Sequence, residues 1–302
     1  MTVVGGVEAG GTKWVCVAGT GPDDLHATET IPTTTPEATL GRVLEFFARR
    51  AGRDAVAAVG VASFGPLDLD GGSPTFGWIT TTPKRGWQRT DVAGPLRRAL
   101  GVPVAIDTDV NAAALAEHRW GAARGVDPCV YVTVGSGIGG GALVHGRLLH
   151  GVLHPEMGHV PIPHDRRADP YAGCCPYHGD CWEGLASAVA LRERWGTSPE
   201  QLPADHAAWP LEARYLALGL ASIVGVLAPR RIVLGGGVMQ RAGLLAMVRA
   251  QLREILGGYL AVPDLDDGLD TYLVAPALGA GAGVLGALAL ARDVLAPGER
   301  SP

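Results

Sequence analysis

The chain lacks any cluster of basic residues, and its 302 residues carry a formal net charge of −5. Proteins that bind a nucleic-acid backbone normally present a concentrated positive patch, so this balance argues against that class. Apolar runs of about 20 residues, the length that spans a bilayer, are also missing, since the apolar segment 211–227 carries Glu212 and Arg214. The N-terminus has no charged segment followed by a cleavage site. These absences predict a cytoplasmic protein with neither nucleic-acid nor membrane partners.

Cysteine is scarce, and the five cysteines are an odd number. Cys16 and Cys129 lie in strand-like runs, whereas the other three cluster with histidines, so a metal site and two buried thiols fit better than a disulfide framework. The pattern H-x15-C-x2-H-x2-C offers four ligands of the kind that close a tetrahedral zinc site. These ligands are His159, Cys175, His178 and Cys181. Cys174 is adjacent to Cys175, so an exchange between the two stays open, as does the alternative of unrelated thiols and surface histidines.

The 44 glycines concentrate at the ends of predicted strands. Residues 130–144, V-Y-V-T-V-G-S-G-I-G-G-G-A-L-V, predict a strand, a glycine turn and a second strand. Residues 3–17, V-V-G-G-V-E-A-G-G-T-K-W-V-C-V, repeat this arrangement and indicate an internal duplication. Each turn could hold phosphate oxygens on its backbone amides, and the alternative is an ordinary glycine hairpin.

The remaining pattern alternates strands and helices, and the length favours two domains that meet near residues 121–128. Thr35 is the predicted N-cap of a helix 36–51, and Gly52 lies just past its predicted end. Strands are predicted at 26–31, 56–63, 102–106 and 231–235. Further helices are predicted at 91–100, 110–120, 183–195, 211–227, 244–256 and 280–295, loops at 80–87 and 197–209, and a loose tail from residue 297.

The segment D-T-D-V-N, residues 107–111, follows a predicted strand. Open α/β sheets bind ligands at the carboxyl ends of their strands, so carboxylates here are candidate catalytic groups. In extended backbone Asp107 and Asp109 would share one face, about 7 Å apart. A carboxylate in this position could act as a general base that accepts the proton of a substrate hydroxyl. The alternative is that the two acids cap a helix before Val110, and Asn111 is as compatible with a structural role as with a functional one.

A second interpretation of the glycine turn is a dinucleotide fingerprint, because Gly135, Gly137 and Gly140 have its G-x-G-x-x-G spacing. The segment A-L-V-H-G that follows is strand-like, whereas the fingerprint requires a helix at that point. The context therefore argues against this interpretation.

Six motifs occur in an order that resembles the ROK family of sugar kinases, and most closely its zinc-containing bacterial fructokinases. The motifs are E-A-G-G-T-K, D-T-D-V-N, G-S-G-I-G-G-G, E-x-G-H, C-P-x-H-G-x-C-x-E-G and L-G-G-G-V. The resemblance implies a two-lobed actin/hexokinase/Hsp70-like (ribonuclease H-like) α/β fold with duplicated mixed-sheet domains and a small zinc-binding insertion. It implies an N-terminal lobe 1–121 and a C-terminal lobe 122–302, a zinc-binding segment 154–184, a cleft between the lobes, and a C-terminal helix that packs back on the first lobe.

The resemblance also implies ATP-dependent phosphorylation of a free hexose, fructose to fructose 6-phosphate, with Asp109 as the catalytic base. The implied sugar-binding residues are Gly65, Pro66, Lys84, Thr108, Asp109, Glu156, His159 and Glu183. The implied nucleotide and cofactor residues are Glu8, Gly10, Gly11, Thr12, Lys13, Thr133, Gly135, Ser136, Gly137, Gly235, Gly236 and Gly237. ATP and Mg²⁺ are the expected cofactors, Glu8 would support Mg²⁺ through water, Zn²⁺ would be structural, and the chain would form a homodimer.

Three alternatives remain beside this assignment. Thr108 replaces an asparagine that contacts the sugar in many relatives, so mannose, glucose or an amino sugar stays open as the substrate. A sugar-binding regulator without kinase activity is a second possibility, although such relatives carry an N-terminal winged helix and here the first strand is expected from Val3. An ester hydrolase with a catalytic zinc is a third, but four protein ligands would leave the ion no open position.

Overall fold

The chain divides into two structural units and contains two five-stranded sheets. The computed structural model describes residues 2–50, 55–266 and 268–295. The first unit comprises Met1–Gly121, Leu143–Pro155 and Leu278–Pro302, and the second comprises Ala122–Ala142 and Glu156–Ala277.

The strands follow the predicted pattern of paired hairpins. They are β1 (Val4–Ala9), β2 (Lys13–Gly21), β3 (Asp24–Pro32), β4 (Val59–Ser63), β5 (Trp78–Ile79), β6 (Thr90–Asp91), β7 (Val104–Thr108), β8 (Cys129–Val134), β9 (Ile138–Val144), β10 (Arg147–Leu148), β11 (Arg231–Gly235) and β12 (Leu273–Val274).

Helices separate most of the strands. They are α1 (Pro36–Ala48), α2 (Ala93–Leu100), α3 (Asp109–Trp120), α4 (Trp182–Ala186), α5 (Ala188–Trp195), α6 (Ala208–Leu227), α7 (Leu244–Leu256), α8 (Pro263–Asp266), α9 (Leu269–Tyr272) and α10 (Ala282–Leu295). Short 3₁₀ turns lie at Met157–His159, Pro199–Gln201, Val238–Gln240 and Gly279–Gly281.

The two large sheets share one topology. The first has the order β3-β2-β1-β4-β7, with antiparallel β1–β2 and β2–β3 pairs and parallel β1–β4 and β4–β7 pairs. The second has the order β10-β9-β8-β11-β12, with β11 parallel to both β8 and β12. Each sheet therefore combines a glycine hairpin with two parallel strands, which confirms the predicted duplication of mixed-sheet domains.

The first unit has a large hydrophobic cluster that includes residues of α1 and α2, and a second, smaller cluster where α10 crosses the sheet. α10 packs on β1, β4 and α3, and its residues Leu288 and Ala291 are buried with Val4 and Val17. Gly60 in β4 makes this approach possible, because a Cβ at this position would lie 1.9 Å from the backbone oxygen of Ala287.

We expect Gly60→Ala to lower the free energy of unfolding by about 1–3 kcal/mol, because the added methyl would push on backbone atoms that cannot rotate away. Urea denaturation monitored by circular dichroism measures this change. Gly41→Ala is the matched control, since Gly41 lies in α1 and its added Cβ would meet no atom within 4 Å. It should raise stability by roughly 0.5–1 kcal/mol, so equal losses in both variants would contradict the packing argument.

Several predicted boundaries in the first unit are wrong by a few residues. α1 ends at Ala48, and the predicted helix end at residues 51 and 52 lies outside the described residues. The strand predicted at 56–63 begins at Val59. The helix predicted at 91–100 begins at Ala93, because residues 90 and 91 pair as β6. The strand predicted at 102–106 is β7 at Val104–Thr108, because its residues continue the parallel pairing with β4 as far as Ser63.

The second half of the chain departs from the predictions in four places. The helix predicted at 183–195 is two helices, because Ser187 ends α4 and its hydroxyl caps α5 by accepting the N–H of Ala190. The predicted loop 197–209 contains a 3₁₀ turn and the start of α6. The helix predicted at 280–295 begins at Ala282 after a 3₁₀ turn. The predicted loose tail from residue 297 lies outside the described residues.

Helix α6 is longer than the predicted 211–227, because residues 208–210 join its first turn. Its 20 residues and mean hydropathy of 1.4 meet the length and composition of a membrane span, and half of that apolar window is buried within the protein. It also carries Glu212, whose side chain is buried. Burial raises the pKa of Glu212 well above its ordinary value and thus favours the neutral carboxyl, while the charge of Arg194 opposes the shift.

Candidate functional site

Asp109 is the first residue of α3 and directly follows β7. Thr108 caps this helix, because its Oγ1 accepts the backbone N–H of Asn111 at 3.1 Å. The Oδ1 of Asp109 accepts the N–H of Val110 at 2.9 Å. Removal from water raises the pKa of Asp109 to about 6, and the bond from Val110 opposes the rise. A carboxyl that titrates this close to neutral pH is suited to accept a proton from a substrate.

Asp107 has a different environment from Asp109. It is buried, and its carboxylate accepts hydrogen bonds from the N–H of Thr108, from Asn111 Nδ2 and from His150 Nε2, at 2.8, 2.8 and 2.9 Å. The prediction that Asp107 and Asp109 share one face of extended backbone is wrong, because α3 begins at Asp109. Asp107 anchors the junction between strand and helix.

Glu8 in β1 is a second carboxyl with an unusual pKa. Burial and then the charge of Asp109 raise its pKa to about 7, while Lys13 and a hydrogen bond from the backbone of Val284 lower it. The carboxyl lies at the start of α10, where a Cβ on Gly283 would come within 2.4 Å of Glu8 Oε1. Two carboxyls of the first unit can therefore change protonation near neutral pH.

The predicted first phosphate motif is the turn between β1 and β2. The N–H of Gly10 donates to the carbonyl of Lys13 at 3.0 Å, and Thr33 Oγ1 donates to the carbonyl of Gly10 at 2.8 Å. Gly11, Thr12 and Lys13 are exposed. These two hydrogen bonds thus hold the backbone of the turn, while Lys13 is exposed to solvent.

The predicted sugar-bordering loops of the first unit contact other parts of that unit. Pro66 follows a cis peptide bond from Gly65, and its carbonyl accepts the N–H of Thr80 at 2.8 Å. Lys84 is partly exposed in the loop after β5. This loop is anchored by the buried Trp87, whose Nε1 donates to the carbonyl of Thr34 at 2.9 Å.

The second glycine turn joins β8 to β9 in the second unit. It contains Gly135, Ser136 and Gly137, directly after Thr133 and Val134 at the end of β8. The N–H of Gly135 donates to the carbonyl of Gly137 at 2.8 Å, and the N–H of Ala188 at the start of α5 donates to the carbonyl of Gly135 at 2.8 Å. The conformation of this turn is therefore stabilised by one hydrogen bond within the turn and one from the start of α5.

Glu183 in α4 contacts this second turn. Its Oε2 accepts the N–H of Ile138 at 2.9 Å, and a Cβ on Gly137 would lie 2.4 Å from the same oxygen. Only glycine leaves room for this contact. A predicted sugar-binding carboxylate and a predicted phosphate turn are therefore in direct contact.

Residues Gly235 to Gly237 follow β11 and lead into a 3₁₀ turn. Gly236 has φ of +99°, and a Cβ there would lie 2.3 Å from the carbonyl oxygen of Val134. The backbone of the third glycine segment therefore packs directly on the end of β8 in the second unit.

The four predicted metal ligands come together in the second unit. Each of the four residues offers one ligand atom, and these atoms all lie within 4.8 Å of one another; the residues are His159, Cys175, His178 and Cys181. The Sγ of Cys175 is 3.6 Å from the Nδ1 of both histidines, and the Sγ of Cys181 is 3.6 Å from His159 Nδ1. Ligands at about 2.3 Å for sulfur and 2.0 Å for nitrogen around a tetrahedral zinc are about 3.5 Å apart, so the cluster fits this ion.

Cys174 stands apart from this cluster. Its Sγ is 3.7 Å from the Oγ of Ser187. The adjacent Cys175 forms a small loop with Gly179, in which each residue donates its N–H to the carbonyl of the other. This loop presents Cys175, His178 and Cys181 from one turn, as the spacing predicted.

His159 connects the metal cluster to two acidic side chains. Its Nδ1 faces the cysteine sulfurs, whereas its Nε2 lies 4.0 Å from Glu156 Oε2 and 4.0 Å from Glu183 Oε1. A metal on Nδ1 would leave the proton on Nε2, and the ring would then present a donor between two acceptors. Acceptors and a donor at close spacing suit the hydroxyl groups of a carbohydrate.

The sequence model of the ROK family matches residues 4–294. The chain belongs to the ROK family. Among ROK relatives, the fructokinase of Zymomonas mobilis subsp. mobilis is 48% identical over 294 residues, which is 96% of this chain and 96% of that protein.

Solved ROK structures share the fold. The ROK hexokinase of Thermus thermophilus is 31% identical with a TM-score of 0.77, and the match covers 98% of this chain and 100% of that one. The ROK glucokinase of Streptomyces griseus, in complex with glucose and AMPPNP, is 26% identical with a TM-score of 0.77, covering 96% and 99%. The predicted kinase fold is thereby confirmed.

His150 and His154 contact the predicted site but were not among the predicted site residues. They contact Asp107 and Leu67, which lie far away in the sequence. Their only signal is the H-x3-H spacing ahead of the E-x-G-H motif, and this spacing alone predicts no particular partner.

Proposed function

We propose that this protein transfers the terminal phosphoryl group of ATP to a free hexose, with fructose as the preferred acceptor and fructose 6-phosphate as the product. The observation that carries the reaction class is Asp109, a carboxyl with a pKa of about 6 at the start of α3 in a chain of the ROK family. The observation that favours fructose is the 48% identity to a fructokinase.

In this proposal Asp109 is the general base. It accepts the proton of the 6-hydroxyl as the sugar oxygen bonds to phosphorus and the bond to the leaving ADP breaks. The sugar is bound by Asp109 and Thr108, by the loops that carry Gly65, Pro66 and Lys84, and by Glu156, His159 and Glu183. The carboxylates suit this role because each accepts two hydrogen bonds from neighbouring hydroxyls.

ATP is proposed to bind through the three glycine segments. The turn of Gly10, Gly11, Thr12 and Lys13 and the turn of Gly135, Ser136 and Gly137 hold phosphates, Thr133 lies beside the second turn, and Gly235 to Gly237 approach the adenosine. Mg²⁺ neutralises charge on the phosphates when it is bound. Glu8 is assigned to the water shell of this ion, a role supported by its position near Lys13 and Asp109.

We assign a structural Zn²⁺ to the four-residue cluster, a homodimer as the assembly and the cytoplasm as the location. The zinc assignment is supported by the fit of the sulfur and nitrogen separations to a tetrahedral ion. The dimer rests on the family resemblance and the location on the sequence, and light scattering of the purified protein tests the dimer.

A hexose panel tests the substrate assignment. With ATP and Mg²⁺ in a coupled assay for ADP, we expect kcat/KM to be highest for fructose when it is compared with mannose, glucose and N-acetylmannosamine. Phosphorus NMR should identify the product as the 6-phosphate. A much higher kcat/KM for another hexose would refute fructose and leave the reaction class intact, whereas hexose binding without turnover would favour a sugar-binding regulator.

A further inference from the structure

The segment between β10 and the 3₁₀ turn at Met157–His159 carries two histidines that hydrogen-bond to other residues of the first unit. His154 is buried, whereas the side chain of His150 is 39% exposed. Between them the N–H of Gly151 donates to the carbonyl of Leu153 at 2.9 Å, and Val152 is fully exposed at the tip. The two histidines therefore lie on either side of an exposed tip.

His150 is the donor of this pair. Its Nε2 lies 2.9 Å from Asp107 Oδ2, while Asp107 Oδ1 accepts from the N–H of Thr108 and from Asn111 Nδ2. Asp107 is only 4% exposed, so these three donors replace the hydrogen bonds that water would otherwise supply to its carboxylate. His150 thus completes the bonding of the carboxylate that ties the end of β7 to the first turn of α3, two residues before Asp109.

His154 is the acceptor of the pair. The backbone N–H of the buried Leu67 donates to its Nε2 at 3.0 Å, so this nitrogen carries no proton. The Nδ1 lies 3.5 Å from the carbonyl of Pro155 and carries the ring proton of the neutral form. His154 packs against Gly65, where a Cβ would come within 3.3 Å of the ring. It therefore holds the loop of Gly65 and Pro66.

We propose that His150 and His154 are positioning residues, which fix the Asp109 end of α3 and the Gly65–Pro66 loop from one short segment of the chain. The proposal rests on the proposed function, because the two elements held are those assigned there to the base and to the sugar-bordering loop. Neither histidine is assigned to the chemistry. Each acts through the group it bonds, His150 as a donor and His154 as an acceptor.

Because one ring donates and the other accepts, the two hydrogen bonds depend on pH in opposite directions. The hydrogen bond to Asp107 raises the pKa of His150, while burial opposes the rise. Burial lowers the pKa of His154, and the charge of His150 lowers it further, while the bond to Pro155 and the charge of Asp107 oppose the fall. Asp107 and the two histidines are thus the titratable groups that face one another here.

The direction of each pH effect follows from these shifts. When the pH rises through the pKa of His150, its bond to Asp107 loses the assistance of charge, although a neutral ring still donates from Nε2. When the pH falls through the pKa of His154, Nε2 gains a proton and can no longer accept from Leu67. The bond of His154 is therefore lost at low pH, and that of His150 is weakened at high pH.

Substitution of each histidine separates this role from general packing. We expect His150→Ala and His154→Leu to lower kcat with the preferred hexose by about 10- to 100-fold, because small displacements of positioned groups have effects of this size. The KM for ATP should stay near that of the unchanged protein. Glutamine places a neutral donor or acceptor near the Nε2 position, so His150→Gln and His154→Gln should recover most of kcat. His154→Gln should reduce the dependence of kcat on pH at low pH, and His150→Gln should reduce it at high pH.

His145→Asn is the matched control, because His145 lies in the turn between β9 and β10 with φ of +53°, a conformation that asparagine tolerates. It should retain both kcat and the pH profile of the unchanged protein. Folded His150→Ala and His154→Leu proteins with unchanged kcat and pH profiles would overturn the proposal.

A titration by NMR tests the proposal without reference to activity. In the unchanged protein the imidazole of His150 should titrate above an ordinary histidine and that of His154 below it, and Asp107→Asn should bring His150 down towards the ordinary value. Ordinary titration of both rings would also overturn the proposal. If no hexose is phosphorylated by the unchanged protein, the proposed function fails. The titration still decides whether His150 bonds to Asp107 as a donor and His154 bonds to Leu67 as an acceptor.

Discussion

Asp109→Asn is expected to lower kcat by roughly 10²- to 10⁴-fold, the usual contribution of a positioned general base. The asparagine has the same shape and can still accept the N–H of Val110 at the start of α3, so the fold and the affinity for hexose should be largely retained. Steady-state kinetics with the preferred hexose, together with hexose binding by calorimetry, measures the two quantities separately.

The pH dependence of kcat/KM provides a second measurement of the same role. Because the pKa of Asp109 is raised to about 6, the base becomes protonated as the pH falls through that value, and kcat/KM should decline on the acid side. The pKa of Glu8, about 7, places a second group in the same range. Asp109→Asn should remove the contribution of Asp109 to this decline.

Asp23→Asn is the matched control, since Asp23 is exposed in the turn between β2 and β3 and the change is chemically identical. It should leave kcat unchanged. A folded Asp109→Asn protein with near-normal kcat would show that another group accepts the proton.

The parts of the fold that could be predicted are those that depend on neighbouring residues. Apolar β-branched runs that end in glycines predicted both hairpins, and their repetition predicted the duplicated topology that the two sheets share. The spacing of Cys175, His178 and Cys181 predicted their common turn, because three ligands within one short loop need no information from distant segments. His159, from a separate segment, was predicted as the fourth ligand because histidine is a common zinc ligand and the family pattern includes it.

The features that could not be predicted depend on partners far away in the chain. The strand β7 extends to Thr108 because Ser63 of β4 pairs with it, and nothing within residues 102–108 determines that register. His154 and Leu67 are 87 residues apart, so their hydrogen bond has no local signal. The break at Ser187 was hidden for a different reason, because a serine can lie within a helix or cap the next one, and only the bond to Ala190 decides.

Cys175→Ser and Cys181→Ser are expected to lose the zinc and, with it, the affinity for hexose. Metal analysis of the unchanged protein should find about one zinc per chain. The ion would fix His159 Nδ1 and thereby the Nε2 that lies 4.0 Å from both Glu156 and Glu183. Without the ion, His159 is no longer fixed between Glu156 and Glu183, so the three side chains can shift relative to one another. Small displacements of positioned groups can lower the rate by about 10²-fold. We therefore expect kcat/KM for the hexose to fall strongly in both variants.

Cys174→Ser is the control that makes this expectation specific. Its sulfur faces Ser187 and lies outside the four-ligand cluster, so the variant should retain both zinc and activity. If Cys174→Ser loses the metal while Cys175→Ser keeps it, the ligands have been assigned to the wrong cysteine. If the protein as purified contains no zinc and is fully active, the ion has no part in positioning Glu156 and Glu183, and hydrogen bonds such as that between Glu183 and Ile138 must hold them unaided.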